Sequence, residues 1–155
     1  MRRLALLLTL LATPLHAQGL AFGGLAQDAS KPVEITADSL AVDQATGVAT
    51  FTGHVVIGQG ALRLSAGKVV VHYGQAQEIS ALEASGGVTL ASATEAAEAQ
   101  NARYDLTRRE VVMTGNVLVT QGRSAISGET LTLDLDSGSG TMTGRVRSIL
   151  NAGGR

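Results

Sequence analysis

The chain has 155 residues, 45% of them apolar and 16% charged, with 19 Gly, no Cys, no Trp and two each of Tyr and Phe. That length fits one domain or two small ones, and the apolar content is too high for an intrinsically disordered chain. A formal charge of −1 and so few aromatic rings supply neither the basic face nor the stacking surface nucleic acids require, so nucleic-acid binding is excluded.

Met1-Arg2-Arg3 is a short basic region, followed by an apolar run from Leu4 to Leu15 and the small residue Ala17. The run is too short for a bilayer of roughly 30 Å, so residues 1–17 read as a cleavable signal peptide, with a retained anchor as the competing reading. There is no Cys at the cleavage point to mark a lipoprotein. Cleavage removes two of the twelve basic residues, leaving ten against thirteen acidic ones, a charge of −3. The exported product has no disulfide to stabilise it, so core and backbone hydrogen bonds must hold it.

Residues 18–30, QGLAFGGLAQDAS, show no period and read as a flexible lead-in. From Lys31 the pattern alternates with period two, as in strands with one buried face. Val33, Ile35 and Ala37 alternate with Glu34, Thr36 and Asp38, and Leu40 and Val42 continue the series. Phe51, Val55, Ile57, Leu62, Leu64, Val69 and Val71 follow, then Val88, Leu90, Tyr104, Leu106, Val111, Met113, Val117, Val119 and the leucines 131, 133 and 135. Only Ser92 to Ala102 has helix-forming composition, and without a stripe of large apolar residues it reads as a helical turn or an outward loop. The domain spans 31–150, with a short disordered tail at 151–155.

An internal repeat organises these strands. Thr52-Gly53-His54-Val55 recurs as Ser85-Gly86-Gly87-Val88, Thr114-Gly115-Asn116-Val117 and Thr143-Gly144-Arg145-Val146, with glycine spacings of 33, 29 and 29 residues. At an offset of 62, Val42-Asp43 matches Tyr104-Asp105, Phe51-Thr52-Gly53 matches Met113-Thr114-Gly115, and Gln59-Gly60 matches Gln121-Gly122. Each ~30-residue unit holds two strands and turns, presents one apolar face, and must stack on its neighbours. The repeated glycines mark bends, or places where strands approach closely. With Val, Ile and Leu in place of large aromatic plugs, the space between layers is either tightly filled or partly open as an acyl-chain slot; composition favours the dry core.

No catalytic or metal arrangement is present. His54 and His72 are the only histidines after cleavage, and neither a His-x3-His nor a His-Glu-x-x-His spacing occurs. Gly58-Gln59-Gly60 lacks the surrounding βαβ unit of a nucleotide site and reads as a hairpin turn. Ser124 lacks the closing Gly of a nucleophile elbow, and Asp134 and Asp136 alternate with leucines and face solvent. No enzyme activity and no cofactor are expected. Residues 18–102 carry a net charge of −5 and residues 103–155 a net +2, which favours head-to-tail contact between copies.

Lys31-Pro32-Val33-Glu34-Ile35-Thr36-Ala37-Asp38, Ala49-Thr50-Phe51-Thr52-Gly53-His54-Val55-Val56 with Gln59-Gly60, and Ala66-Gly67-Lys68-Val69-Val70-Val71 resemble the LptA/OstA family, the periplasmic lipopolysaccharide transport proteins of Gram-negative bacteria. The segments from Ala102 to Leu106 and from Val112 to Val117 resemble the family's second half, so the likeness runs from about residue 31 to 147. The resemblance implies an open antiparallel β-jellyroll with an apolar groove for the acyl chains of lipid A, and so prefers the groove to the packed core. It places Val33, Ile35, Leu90, Tyr104 and Leu106 at the lipid. It implies a periplasmic location and end-to-end stacking with further copies and with LptC-like inner-membrane and LptD-like outer-membrane domains. The first strand near Val33–Asp38 and the last near Thr141–Ile149 are the candidate joining edges. The rivals are an exported structural β-repeat protein with a dry core and no lipid, and an exported hydrolase, the latter disfavoured by the missing nucleophile and base.

Overall fold

The computed structural model describes residues 30–150; the expected signal peptide, almost all of the lead-in and the 151–155 tail lie outside them. Ten strands form one antiparallel sheet: β1 (Glu34–Thr36), β2 (Ser39–Asp43), β3 (Val48–Gln59), β4 (Leu62–Tyr73), β5 (Ile79–Ala91), β6 (Glu95–Asp105), β7 (Glu110–Gln121), β8 (Ser124–Asp134), β9 (Ser139–Thr143) and β10 (Arg147–Ile149). The six long strands pair in sequence order from β3 to β8. At one edge β1 and β2 both pair with β3, and at the other β9 and β10 both pair with β8.

Local chemistry sets the turns. Gly60-Ala61 and Gly122-Arg123 close two-residue hairpins with positive φ at the glycine (60° and 57°), the backbone a type II′ turn needs. At the opposite strand ends, the carboxylates of Asp43, Asp105 and Asp134 accept backbone N–H groups two or three residues on, a repeated aspartate-led turn. Those bonds hold the carboxyls of Asp43 and Asp134 below the usual range.

The repeated glycines are the bends of the sheet. Gly53-His54, Gly115-Asn116 and Gly144-Arg145 each place two successive residues at positive φ, as does Gly86-Gly87. The strand ladders shift register at the first three sites, as β-bulges do. Gly67 lies against the backbone of Gly86, so closely that an added Cβ would sit 3.2 Å from the Gly86 carbonyl oxygen. The bends align in one row across the sheet and divide it into two arms. One arm holds β1, β10 and the strand halves that meet at the 59–62, 91–95 and 121–124 turns; the other holds β2, β9 and the remaining halves. Their inner faces form a single apolar core that includes Val55, Val69, Met113 and Leu131, all fully buried.

Two expectations change. Ser92–Ala102 is neither a helical turn nor an outward loop: from Glu95 it forms β6, paired on both sides. Ala97, Ala99 and Ala102 are poor strand formers by themselves, but hydrogen bonding from β5 and β7 overrides that bias, and their small size suits the crowded inner face. Leu40 and Val42 keep the inner phase, opposite Phe51 and Ala49, yet are 55% and 62% exposed because β2 is an edge.

Candidate functional site

The apolar interior is built by alternation on both arms, and five positions singled out from the sequence lie on it. Ile35 on β1 is registered with Ile57, and Val33 precedes it on the same face; both are half-buried. Leu90, near the end of β5, is 2% exposed. Tyr104 on β6, opposite Leu82 and Val111, and Leu106 just beyond it are half-buried against the core from the other arm. Val33, Leu90 and Tyr104, together with Ile57, Leu62, Leu64, Leu82 and Val111, line a cavity of about 30 Å³ between the arms. Ile35 and Leu106 are outside that lining but pack on the same core.

That volume holds a water or two, not a chain. Anything longer enters only if the arms part about the row of bends. Half-buried residues form the lip and Leu90 the floor, so parting begins where least area is lost. Burial pushes the Tyr104 phenol up, against the opposing effect of Arg109, so it stays neutral at the rim.

Two polar residues on this face escaped the sequence reading. Gln59 is 8% exposed and its Nε2 donates to the Lys31 carbonyl oxygen at 2.9 Å, tying the approach to β1 onto the end of β3. Glu95 is 6% exposed; its Oε1 accepts from Gln121 Nε2 at 2.6 Å, whereas Oε2 is buried without a partner. Burial pushes its carboxyl up. The available signal was its phase with Ala97 and Ala99, hidden while the segment read as a loop.

On the row of bends, the exposed His54 Nδ1 donates to Asp38 Oδ2 at 2.7 Å, which raises the imidazole above its ordinary range. Arg145 occupies the equivalent place in the last repeat and donates to Glu129 Oε1 through Nε at 2.9 Å. His72, half-buried on β4, lies 3.6 Å from Glu83, which also pairs with Arg103. Among the described residues no group of three or more His, Asp or Glu is arranged to hold a metal ion.

Residues 34–139, with both arms and most of the bends, match the family described as LptA/(LptD N-terminal domain) LPS transport protein. The chain belongs to this family. It is 29% identical over 135 residues to the lipopolysaccharide export system protein LptA of Escherichia coli (strain K12), covering 79% of this chain and 70% of that protein. It is 30% identical over 135 residues to LptA of Haemophilus influenzae, covering 81% and 77%. Its fold matches the crystal structure of LptH from Pseudomonas aeruginosa, described as the LptA-homologous periplasmic component of the lipopolysaccharide transport device. That match has a TM-score of 0.73 at 20% identity and covers 80% of this chain and 98% of that one. The fold is thus the open antiparallel jellyroll of this family.

Proposed function

We propose that this protein is a periplasmic carrier that shields the acyl chains of lipid A between its two arms and passes lipopolysaccharide along end-to-end stacks. The observation that carries the reading is one apolar inner face, continuous from edge to edge, with Val33, Ile35, Tyr104 and Leu106 at its lip and Leu90 at its floor. Ten methylenes placed there would gain about 8 kcal/mol, enough to offset a partial separation of the arms. The sugar-phosphate head would stay outside. No reaction is performed.

The edges support stacking. β3 and β8 run in opposite directions, so β1 and β10, each antiparallel to its neighbour, also oppose one another. Copies related by translation therefore meet antiparallel and continue the sheet. The β1–β2 edge carries Glu34, Asp38 and Asp43, and the β9–β10 edge Arg145 and Arg147, a complementary pairing that the related inner- and outer-membrane domains could share.

A photo-crosslinking residue at Ile35, and in parallel at outward-facing Thr36, tests the groove in cells. A lipopolysaccharide adduct at Ile35 and not at Thr36 is expected. With no adduct at either position in folded, exported protein, the dry-core structural reading, which the small cavity favours, replaces this one.

A further inference from the structure

The register of the sheet follows one rule from edge to edge. At every bend, a residue on the neighbouring strand faces the positive-φ glycine: Asp38 faces Gly53, Gly67 faces Gly53 and Gly86, Gln100 faces Gly86 and Gly115, and Glu129 faces Gly115 and Gly144. In each case the residue before the glycine pairs with the one after its neighbour, as in Ser39↔Thr52, Thr52↔Lys68, Lys68↔Ser85, Ser85↔Asn101, Asn101↔Thr114, Thr114↔Thr130 and Thr130↔Thr143. The same count puts the valine two places after the glycine opposite a small residue: Val55↔Ala66, Val88↔Ala99 and Val117↔Gly128.

Those three valines are 0%, 2% and 1% exposed, whereas the fourth, Val146, is 51% exposed. Val146 has Gly128 on its inner side by the same count and no strand beyond it among the described residues. At the opposite edge stands Ala37, a small half-buried residue in the place that Ala66 and Ala99 hold inside the sheet. The row of alternating small residues and valines is one strand short at each end, and each end supplies what the other lacks.

We infer that copies of this chain join by continuing the internal register, with Thr143 against Ser39, Val146 against Ala37 and Arg147 against Thr36 of the next copy. This rests on the end-to-end reading above and specifies its residues. Continued to the second arm, the count sets Met142 against Leu40, both inward-facing, and covers the exposed leucine. On the first arm Ser148 meets Ile35, again on the inner face. A slip of one residue would turn each apolar set outward. The basic bend at Gly144-Arg145 comes beside Asp38, the acidic residue that begins the row. The junction is therefore two-armed, β9 with β2 and β10 with β1, and the inner face passes through it unbroken.

The chain contains no cysteine, so introduced pairs report cleanly. Within one molecule, Ser39 and Thr143 lie about seven strand spacings of ~4.8 Å apart, so a disulfide between them must join two copies. Full-length protein carrying Ser39→Cys with Thr143→Cys, or Thr36→Cys with Arg147→Cys, is expected to form a ladder of covalent multimers on mild oxidation. The slipped pair Ala41→Cys with Thr143→Cys should give at least tenfold less. Val146→Asp, at a site exposed in the single chain, should keep the wild-type melting temperature while weakening self-association at least tenfold in sedimentation velocity. A ladder stronger from the slipped pair, or Val146→Asp with unchanged self-association, overturns the register while leaving stacking intact. No ladder from any pair, with the Ile35 lipid adduct still formed, overturns the junction and leaves the carrier role standing.

Discussion

Replacing Leu90 with Ala probes whether the space between the arms is ligand space. Leu90 is almost completely buried and lines the small cavity. Truncation removes three carbons, about 2.4 kcal/mol of transfer free energy at ~0.8 kcal/mol each. A residual void on the order of 50 Å³ adds about 1 kcal/mol, because the flanking strands are held by their ladders and collapse little. The expected loss is about 3–4 kcal/mol, a large share of the roughly 5–15 kcal/mol typical of a domain. Urea unfolding with and without lipid A measures it, with the slope checked for constancy. The enlarged void opens toward the lip, so an acyl chain can fill it, and saturating lipid should at least halve the gap between variant and wild type. Leu131→Ala supplies the comparison: Leu131 is equally buried but outside the cavity lining, so its similar loss should not shrink with lipid. A Leu90→Ala loss below about 1 kcal/mol, or a gap that lipid leaves unchanged, would refute the reasoning.

Glu95 has its carboxyl pushed up by burial, so its folded-state pKa exceeds the unfolded one, and its effect on stability is most favourable below the unfolded value and is lost as pH rises through the folded value. Wild type should therefore gain stability on acidification from pH 7 toward pH 5, and Glu95→Gln should be more stable at pH 7 with that dependence flattened, as read by thermal melts across pH. Gly53→Ala should cost about 2–3 kcal/mol in urea unfolding, because the new Cβ combines φ +80° with a clash at Asp38; Gly122→Ala, with positive φ but open space, should cost about 1 kcal/mol. The His54 imidazole, raised first by its hydrogen bond to Asp38, should titrate above its ordinary value by NMR, and Asp38→Asn should return it there. Any stability that this pair confers is present at low pH and lost as His54 deprotonates, and its full exposure makes it small.

Period-two alternation carries the phase of a strand in each residue's own neighbours, so the sequence alone placed Val33, Ile35, Leu90, Tyr104 and Leu106 on one face. The Thr/Ser-Gly-x-Val repeat likewise announced the bends, because two successive left-handed residues need a glycine to start them. Tertiary structure decided what local pattern does not encode. β6 exists because β5 and β7 hydrogen-bond it from both sides, despite an alanine-rich composition that argues against a strand. Glu95 became a buried carboxyl only once that strand turned it inward. Leu40, Val42 and Val146 share the phase of buried residues yet remain exposed, since phase is a property of the strand whereas burial requires a neighbour. The closeness of the arms, which leaves about 30 Å³ between them, is set by how side chains from distant repeats interdigitate. A repeat read along the chain specifies each unit's faces; only the assembled sheet shows which units stand at its ends and what they leave uncovered.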